Sequence, residues 1–220
     1  MITPDVRDAD PSFGPTLEHE RRLWSLGYRR VAGLDEVGRG AWAGPVVAAA
    51  VWFSPEAANL EVALDGVDDS KKLSPRKRAE LLPRILSCAA GVGIGLASER
   101  YVDAQGIVEA TRLAMMMALS SLAIPPQYLL IDGLYLPPLD VPQFALPKGD
   151  GLVLSIAAAS VVAKQFRDRL MSERDHYFPG YCFGRHKGYG TRQHHQALSS
   201  LGPCALHRLS FGPVLRSLLG

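Results

Sequence analysis

Hydrophobic and polar positions alternate between strand-like runs and helical periods along most of the chain. Leu17 to Leu26 has the spacing of a helix, and the apolar run from Val31 to Asp35 reads as a strand ending in the turn Asp35-Glu36-Val37-Gly38-Arg39-Gly40. Valine-rich Pro45 to Phe53 is a second strand. Ser74-Pro75 opens a helix that runs to about Ala90, with serine as N-cap and proline at the first helical position. Val92 to Ala97 is a third strand whose alternate glycines permit close backbone approach. Ile107 to Leu122 repeats apolar residues at helical spacing until Pro125-Pro126 stop it, and its Met115, Met116 and Met117 read as core filler. Tyr128 to Ile131 is an apolar strand ending at Asp132-Gly133, and Gln143 to Leu146 a short strand before Lys148-Gly149-Asp150. Ser155 to Arg174 is a long helix with a small-residue first half, and two or three short helices follow, one from about Thr191 to Ser200. This order gives an α/β sandwich with a mixed sheet and a helical C-terminal part.

Composition narrows the class. Of 220 residues, 47% are hydrophobic and 21% charged, which fits a globular domain and neither a fibrous nor a disordered chain. The longest nearly apolar run, Ala41 to Phe53, contains Gly44 and Pro45 and falls short of the roughly 20 residues that span a bilayer, so no membrane role is expected. Residues 1–16 carry prolines and scattered acids with no hydrophobic period, which reads as a flexible extension without a signal peptide and places the protein in the cytoplasm. Cys88, Cys182 and Cys204 are odd in number and widely spaced, and support neither a disulfide framework nor a thiolate zinc site. The net charge of +2 conceals an asymmetry. Residues 1–163 hold 15 Lys+Arg against 19 Asp+Glu, whereas residues 164–220 hold 9 against 3 together with five of the six histidines. A basic tail on an acidic body suits a polyanionic partner as well as it suits solubility.

Asp35, Glu36, Asp132 and Asp150 each fall where an apolar segment stops at a glycine-containing turn, the sheet-end position at which ligand sites form. Converging carboxylates repel one another and are tolerable when a cation neutralises them, and all-oxygen ligands point to magnesium or manganese. Taken singly, each is also an ordinary turn or cap residue. Because residues 35 and 36 are neighbours, a regular strand would send them to opposite faces, so a bulge or a strand end is required. Gly38-Arg39-Gly40 exposes backbone that can approach a sugar or phosphate, or is a plain turn; it is no dinucleotide fingerprint. Lys71 and Lys72 precede a helix N-terminus, suiting phosphate or forming a solvated pair. Tyr189, between Lys187-Gly188 and Gly190-Thr191, suits stacking on a base or sugar, or anchors its loop. Adjacent His194 and His195 diverge on a helix, which weakens a zinc site, and His207-Arg208 carries no readable chemistry.

Taken in order, these pieces resemble bacterial ribonuclease HII, the type 2 ribonuclease H family, over about Leu17 to Leu215. The matching motifs are Gly33-Leu34-Asp35-Glu36-Val37-Gly38-Arg39-Gly40, Ala43-Gly44-Pro45-Val46-Val47, Asp69-Ser70-Lys71-Lys72-Leu73-Ser74, Ile131-Asp132-Gly133, Lys148-Gly149-Asp150, Ser155 to Lys164, Lys187-Gly188-Tyr189-Gly190-Thr191 and His207-Arg208-Leu209-Ser210-Phe211. Val37 stands where alanine is common. The resemblance implies a ribonuclease H-like fold with a mixed five-stranded sheet flanked by helices in residues 17–174, and a basic helical region in 175–220. It implies Asp35, Glu36, Asp132 and Asp150 as catalytic, metal-binding carboxylates for two Mg2+ or Mn2+ ions. Gly38, Arg39 and Gly40 would read a ribose 2′-hydroxyl, Tyr189 would stack on the next, 2′-deoxy sugar, and Lys71 and Lys72 would touch phosphates. The implied reaction is hydrolysis 5′ to a ribonucleotide in RNA–DNA hybrids or ribonucleotide-containing duplex DNA, leaving 3′-hydroxyl and 5′-phosphate ends, by a monomer with no organic cofactor. Two other classes remain open at this point. An integrase-like nuclease would share the carboxylates and cut all-DNA substrates, and a silent nucleic-acid-binding module would bind without cleaving.

Overall fold

A computed structural model describes residues 14–136 and 139–218. Residues 1–13, most of the segment read as an extension, lie outside the described residues; Thr16 forms a parallel bridge with Val153. The elements run α1 (Glu18–Ser25), β1 (Val31–Val37), β2 (Val46–Trp52), α2 (Leu60–Ala63), α3 (Pro75–Cys88), β3 (Gly91–Ala97), α4 (Glu99–Ser120), β4 (Tyr128–Asp132), β5 (Gln143–Leu146), α5 (Leu154–Arg174), α6 (Phe183–His186), α7 (Arg192–Leu201) and α8 (Gly212–Leu218). No helix among the described residues is long and apolar enough to cross a membrane.

The five strands form one mixed sheet in the order β3-β2-β1-β4-β5. β1 pairs antiparallel with β2 and β2 with β3, while β1, β4 and β5 run parallel. Val47, Ala49 and Val51 of β2 pack on the small residues Ala157 to Ala163 of α5, and Leu34, Ala48 and Ala50 face Ala110, Ala114 and Ala118 of α4 on the other side. Small residues let helix and sheet touch at backbone range. A Cβ on Gly33 of β1 would lie 2.3 Å from the Ser155 carbonyl carbon, and one on Gly95 of β3 would lie 2.2 Å from the Ala114 oxygen, which is the close approach expected from the alternate glycines.

Helix ends follow local chemistry. Ser74 caps α3 by accepting from the Lys77 amide at 3.2 Å, with Pro75 first in the helix as expected. α5 has no cap of its own; buried Glu20 of α1 accepts from the Ser155 amide at 2.9 Å and supplies it from a distance of 135 residues. The helix expected from Ile107 begins earlier, at Glu99. Gly106, at φ 81 and ψ 166, interrupts it, so the periodic segment that starts at residue 107 is only the second part of α4.

Candidate active site

The antiparallel ladder of β1 with β2 continues to Val37↔Val47, but its parallel ladder with β4 stops at Leu34↔Ile131. Beyond that point β1 has no strand on its β4 side. Asp35 and Glu36 lie there, in unbroken register and without a bulge, so the strand end, not a bulge, is what admits both carboxylates to one cavity of about 520 Å3. Asp35 lies on the α5 side near Ser160 and is 1% exposed. Glu36 has its carboxylate 3.4 Å from Arg39 Nη1 and near Asp132. Asp132 ends β4 and accepts from the Gly149 amide at 2.7 Å. That amide belongs to a single 3-10 turn, Gly149–Gly151, which follows Lys148 in a left-handed conformation and buries Asp150.

The four carboxylates share one electrostatic problem. Burial raises the pKa of Asp35 well above the usual range, and repulsion from Glu36, Asp132 and Asp150 adds to it. Burial raises Glu36, Asp132 and Asp150 in turn, with Asp132 repelling both Glu36 and Asp150. Asp35 Oδ2 and Glu36 Oε2 are buried with no hydrogen-bond partner. Unpaired carboxylate oxygens in a dry site are costly, and an oxygen-loving cation is the partner that fits them. Among the described residues no group of three or more His, Cys, Asp and Glu side chains is drawn together so as to hold a metal ion as they stand. Lys71 Nζ stands 3.4 Å from Asp150 Oδ2 and 3.6 Å from Asp69 Oδ1; burial pulls its pKa down, but Asp35, Asp150 and Asp69 together push it up, so the ammonium is held charged.

The two lysines part company. Lys71 lines the cavity with Asp35 and Asp132 and also an adjoining one of about 500 Å3 with Asp132, Lys148 and Asp150, whereas Lys72 turns to Asp68 at 3.0 Å and lines only the second. Gly38, Arg39, Gly40 and half-buried Tyr189 close the first cavity. Gly38 has φ +94, and a Cβ there would lie 2.3 Å from Arg167 Nε. The Tyr189 ring lies 5.5 Å from Lys164 Nζ and 5.4 Å from the Arg167 guanidinium. His194 and His195 diverge as expected, the first buried and the second exposed.

Residues 32–214 match the family described as Ribonuclease HII. The chain belongs to the ribonuclease HII family. A curated ribonuclease HII from Herpetosiphon aurantiacus is 50% identical over 198 residues, covering 90% of this chain and 96% of that one. Among solved structures, the ribonuclease H2 of Pyrococcus horikoshii superposes with a TM-score of 0.70 at 24% identity, over 86% of this chain and 96% of that one. Bst-RNase HIII, solved in complex with Mn2+, gives 0.63 at 19% identity, over 89% and 71%. The last two likenesses speak for the fold. Membership of the ribonuclease HII family makes this chain a hydrolytic nuclease of the ribonuclease H type, and the integrase-like and silent-binder readings are set aside with it.

Sequence reasoning missed several parts of the site of this ribonuclease HII. Arg167, in α5, donates to the carbonyls of Pro45, Lys187 and Ala43 at 2.9, 2.9 and 3.0 Å. Arg208 donates to Gly44 at 2.7 and 3.0 Å and to Arg39 at 2.9 Å. Both are fully buried, and burial together with the neighbouring Arg167 lowers the Arg208 pKa to about 9. With Trp42 N donating to Gly188 O at 2.8 Å, these bonds lock the Gly38–Gly40 turn to the Tyr189 loop. Asp69 is a fifth acid, close enough to raise the pKa of Asp150 and accepting from the Lys71 amide at 2.9 Å. Ser70 and Ser160 share a buried hydrogen bond of 2.9 Å that ties the Asp69-Ser70-Lys71 segment to α5. Asp69 and Ser70 sat inside a motif singled out for its lysines. Nothing local distinguishes Arg167 from a surface arginine.

Proposed function

We propose that this ribonuclease HII hydrolyses the phosphodiester 5′ to a ribonucleotide, in RNA–DNA hybrids and at single ribonucleotides in duplex DNA, leaving 3′-hydroxyl and 5′-phosphate ends. The reading rests on one juxtaposition: a glycine turn with space at Gly40, the half-buried ring of Tyr189 and two orphaned carboxylate oxygens line the same cavity. In this reading residues 17–174 carry the acids and residues 175–220 contribute the ring. The Gly38-Arg39-Gly40 backbone accepts and donates to one 2′-hydroxyl, the group that separates RNA from DNA, and the Tyr189 ring packs on the following sugar, which lacks one. Lys71, beside Asp150, and Lys72, beside Asp68, meet phosphates of the substrate backbone. Asp35, Glu36, Asp132 and Asp150 hold two divalent ions, Mg2+ or Mn2+. When bound, such ions supply an activated water and charge relief at the leaving oxygen. The unpaired Asp35 and Glu36 oxygens fit that role, and the Mn2+ in Bst-RNase HIII agrees with the choice of ion.

Incubation with Mn2+ and three matched duplexes tests the reading. The duplex with one ribonucleotide should be cut on its 5′ side, and the all-DNA duplex and the 2′-O-methyl duplex should stay intact, since the methyl removes the donor and fills the turn. Equal cutting of the hydroxyl and methyl substrates would end the assignment of the glycine turn.

A further inference from the structure

Three buried histidines that play no part in the proposed chemistry converge behind the Tyr189 loop. His186, His194 and His207 come from α6, α7 and the segment before α8, and they are 8%, 0% and 2% exposed. The His186 and His194 rings stack at 4.4 Å, and Phe183 packs edge-on against His194 at 5.6 Å. His194 Nε2 and His207 Nε2 are 3.0 Å apart, so one ring donates to the other.

Hydrogen-bond chemistry fixes the direction from both ends. The Cys204 amide, which can only donate, lies 2.9 Å from His207 Nδ1, nearer than the Cys204 carbonyl at 3.3 Å, so that nitrogen accepts and the proton of His207 is on Nε2. The Tyr189 carbonyl, which can only accept, lies 3.0 Å from His194 Nδ1, so the proton of His194 is on Nδ1 and its Nε2 is free to accept. The two assignments agree, and the chain runs Cys204 N–H to His207, His207 Nε2–H to His194, His194 Nδ1–H to the Tyr189 carbonyl. His186 is held the same way: its Nδ1 accepts from the Gly188 amide at 3.2 Å and its Nε2 donates to the Tyr181 carbonyl at 2.8 Å. The Tyr189 amide donates to the His186 carbonyl at 2.9 Å, and the Tyr189 carbonyl accepts from the Thr191 amide at 2.8 Å as well as from His194.

We infer that His207 and His194 are positioning residues: a one-way relay of neutral imidazoles that fixes the Tyr189 backbone and so aims its ring into the cavity. The inference rests on the stacking role proposed for Tyr189. Burial pushes His194 and His207 down to about 4, which keeps both rings neutral at working pH, and a charged His194 would turn a second N–H against that of His207. The groups facing the relay are aromatic or already engaged: Trp42 and Phe183 against His194, Tyr181 and Phe183 against His207, with the Cys204 thiol 3.2 Å from His207 Nδ1. Lys187 and Asp175 reach only as far as His186.

The parent protein gives the first test. Long-range proton–nitrogen spectra of imidazole-labelled protein at pH 7.5 should show opposite tautomers, Nδ1–H at His194 and Nε2–H at His207; matching tautomers, or an imidazolium at either site, would overturn the relay. Kinetics on the single-ribonucleotide duplex give the second. His194→Leu should raise KM by roughly 5- to 50-fold, within the range of a lost stacking contact, and leave kcat within about twofold. His194→Asn, whose amide can donate to the same carbonyl, should recover most of it. In a Tyr189→Ala background, His194→Leu should cost nothing further; independent, additive losses would mean that it does not act through Tyr189. A Tyr189→Ala protein with unchanged KM would remove the stacking reading itself, whereas an impaired Tyr189→Ala beside an unimpaired His194→Leu would remove this inference alone.

Discussion

Asp35→Asn is expected to lower kcat by on the order of 10^3-fold or more while leaving the metal-free protein at least as stable as the parent. The activity loss should exceed the roughly 10- to 100-fold that follows removal of an outer-shell partner, because Asp35 offers one of the two unpaired oxygens that face the cavity. The stability side follows from burial. Asp35 is 1% exposed, and its folded-state pKa is raised, first by burial and then by Glu36. A carboxyl whose pKa rises on folding supports the fold fully below its unfolded value near 3.8, and that support is lost as pH climbs through the folded value. In chelator the stability of the variant relative to the parent should therefore grow from pH 5 to pH 8; His194 and His207, whose lowered pKa values weaken the fold as pH falls, act equally on both proteins and cancel in that difference. Asparagine keeps the acceptor for the Glu36 amide, which binds Asp35 Oδ1 at 2.7 Å, and cannot ionise, so the variant should lose less over the same interval. Melting curves with and without Mn2+ check the sign: Mn2+ should stabilise the parent more than the variant. A variant that is less stable than the parent at pH 8 in chelator would show that the carboxylate is not under strain.

Gly33→Ala should cost about 3 kcal/mol or more, a fall in Tm of roughly 6–12 °C for a chain of this size. The added Cβ would meet backbone, 2.3 Å from the Ser155 carbonyl carbon and 2.4 Å from the Ile156 amide, so neither neighbour can rotate away. Either α5 lifts from β1 or β1 bends, and both movements disturb Asp35 two residues on. Gly40→Ala is the matched contrast. Nothing lies within 4 Å of its Cβ, so its Tm should stay within about 1–2 °C of the parent. Its KM for a ribonucleotide-containing duplex should nonetheless rise, because the methyl enters the space proposed for the 2′-hydroxyl. If Gly33→Ala melted like the parent, the contact between α5 and β1 would be softer than the structure has it.

The parts of this site that could be read along the chain are those whose signal is local. Apolar runs that give way to a carboxylate near a glycine mark Asp35, Asp132 and Asp150, although β1 runs on to Val37 and Asp150 lies in a 3-10 turn beyond β5, and the Ser74 cap announces α3. Gly106 hid the first turns of α4 because a left-handed residue looks like a stop, yet Ser98 caps a new start by accepting from the Tyr101 amide at 3.2 Å. The rest is non-local. Arg167, Arg208 and Glu20 act on backbone groups more than 100 residues away, and a carbonyl gives no side-chain pattern to match. The histidine relay is invisible for the same reason: its donors and acceptors become adjacent only when α6, α7 and the segment carrying His207 pack together.

The bond from Arg208 to the Arg39 carbonyl spans 169 residues. During synthesis at roughly 5–20 residues per second, the nascent chain therefore carries the Gly38–Gly40 turn for roughly 10–30 s before its buried guanidinium has been made. β1 must also await β4, its parallel neighbour about 97 residues on (Val31 pairs with Tyr128), so this pairing too is non-local. A polypeptide released before residue 208 would contain every carboxylate and Tyr189 and still lack the guanidinium that holds the Arg39 and Gly44 carbonyls. The geometry of the turn thus depends on a residue translated long after the turn itself.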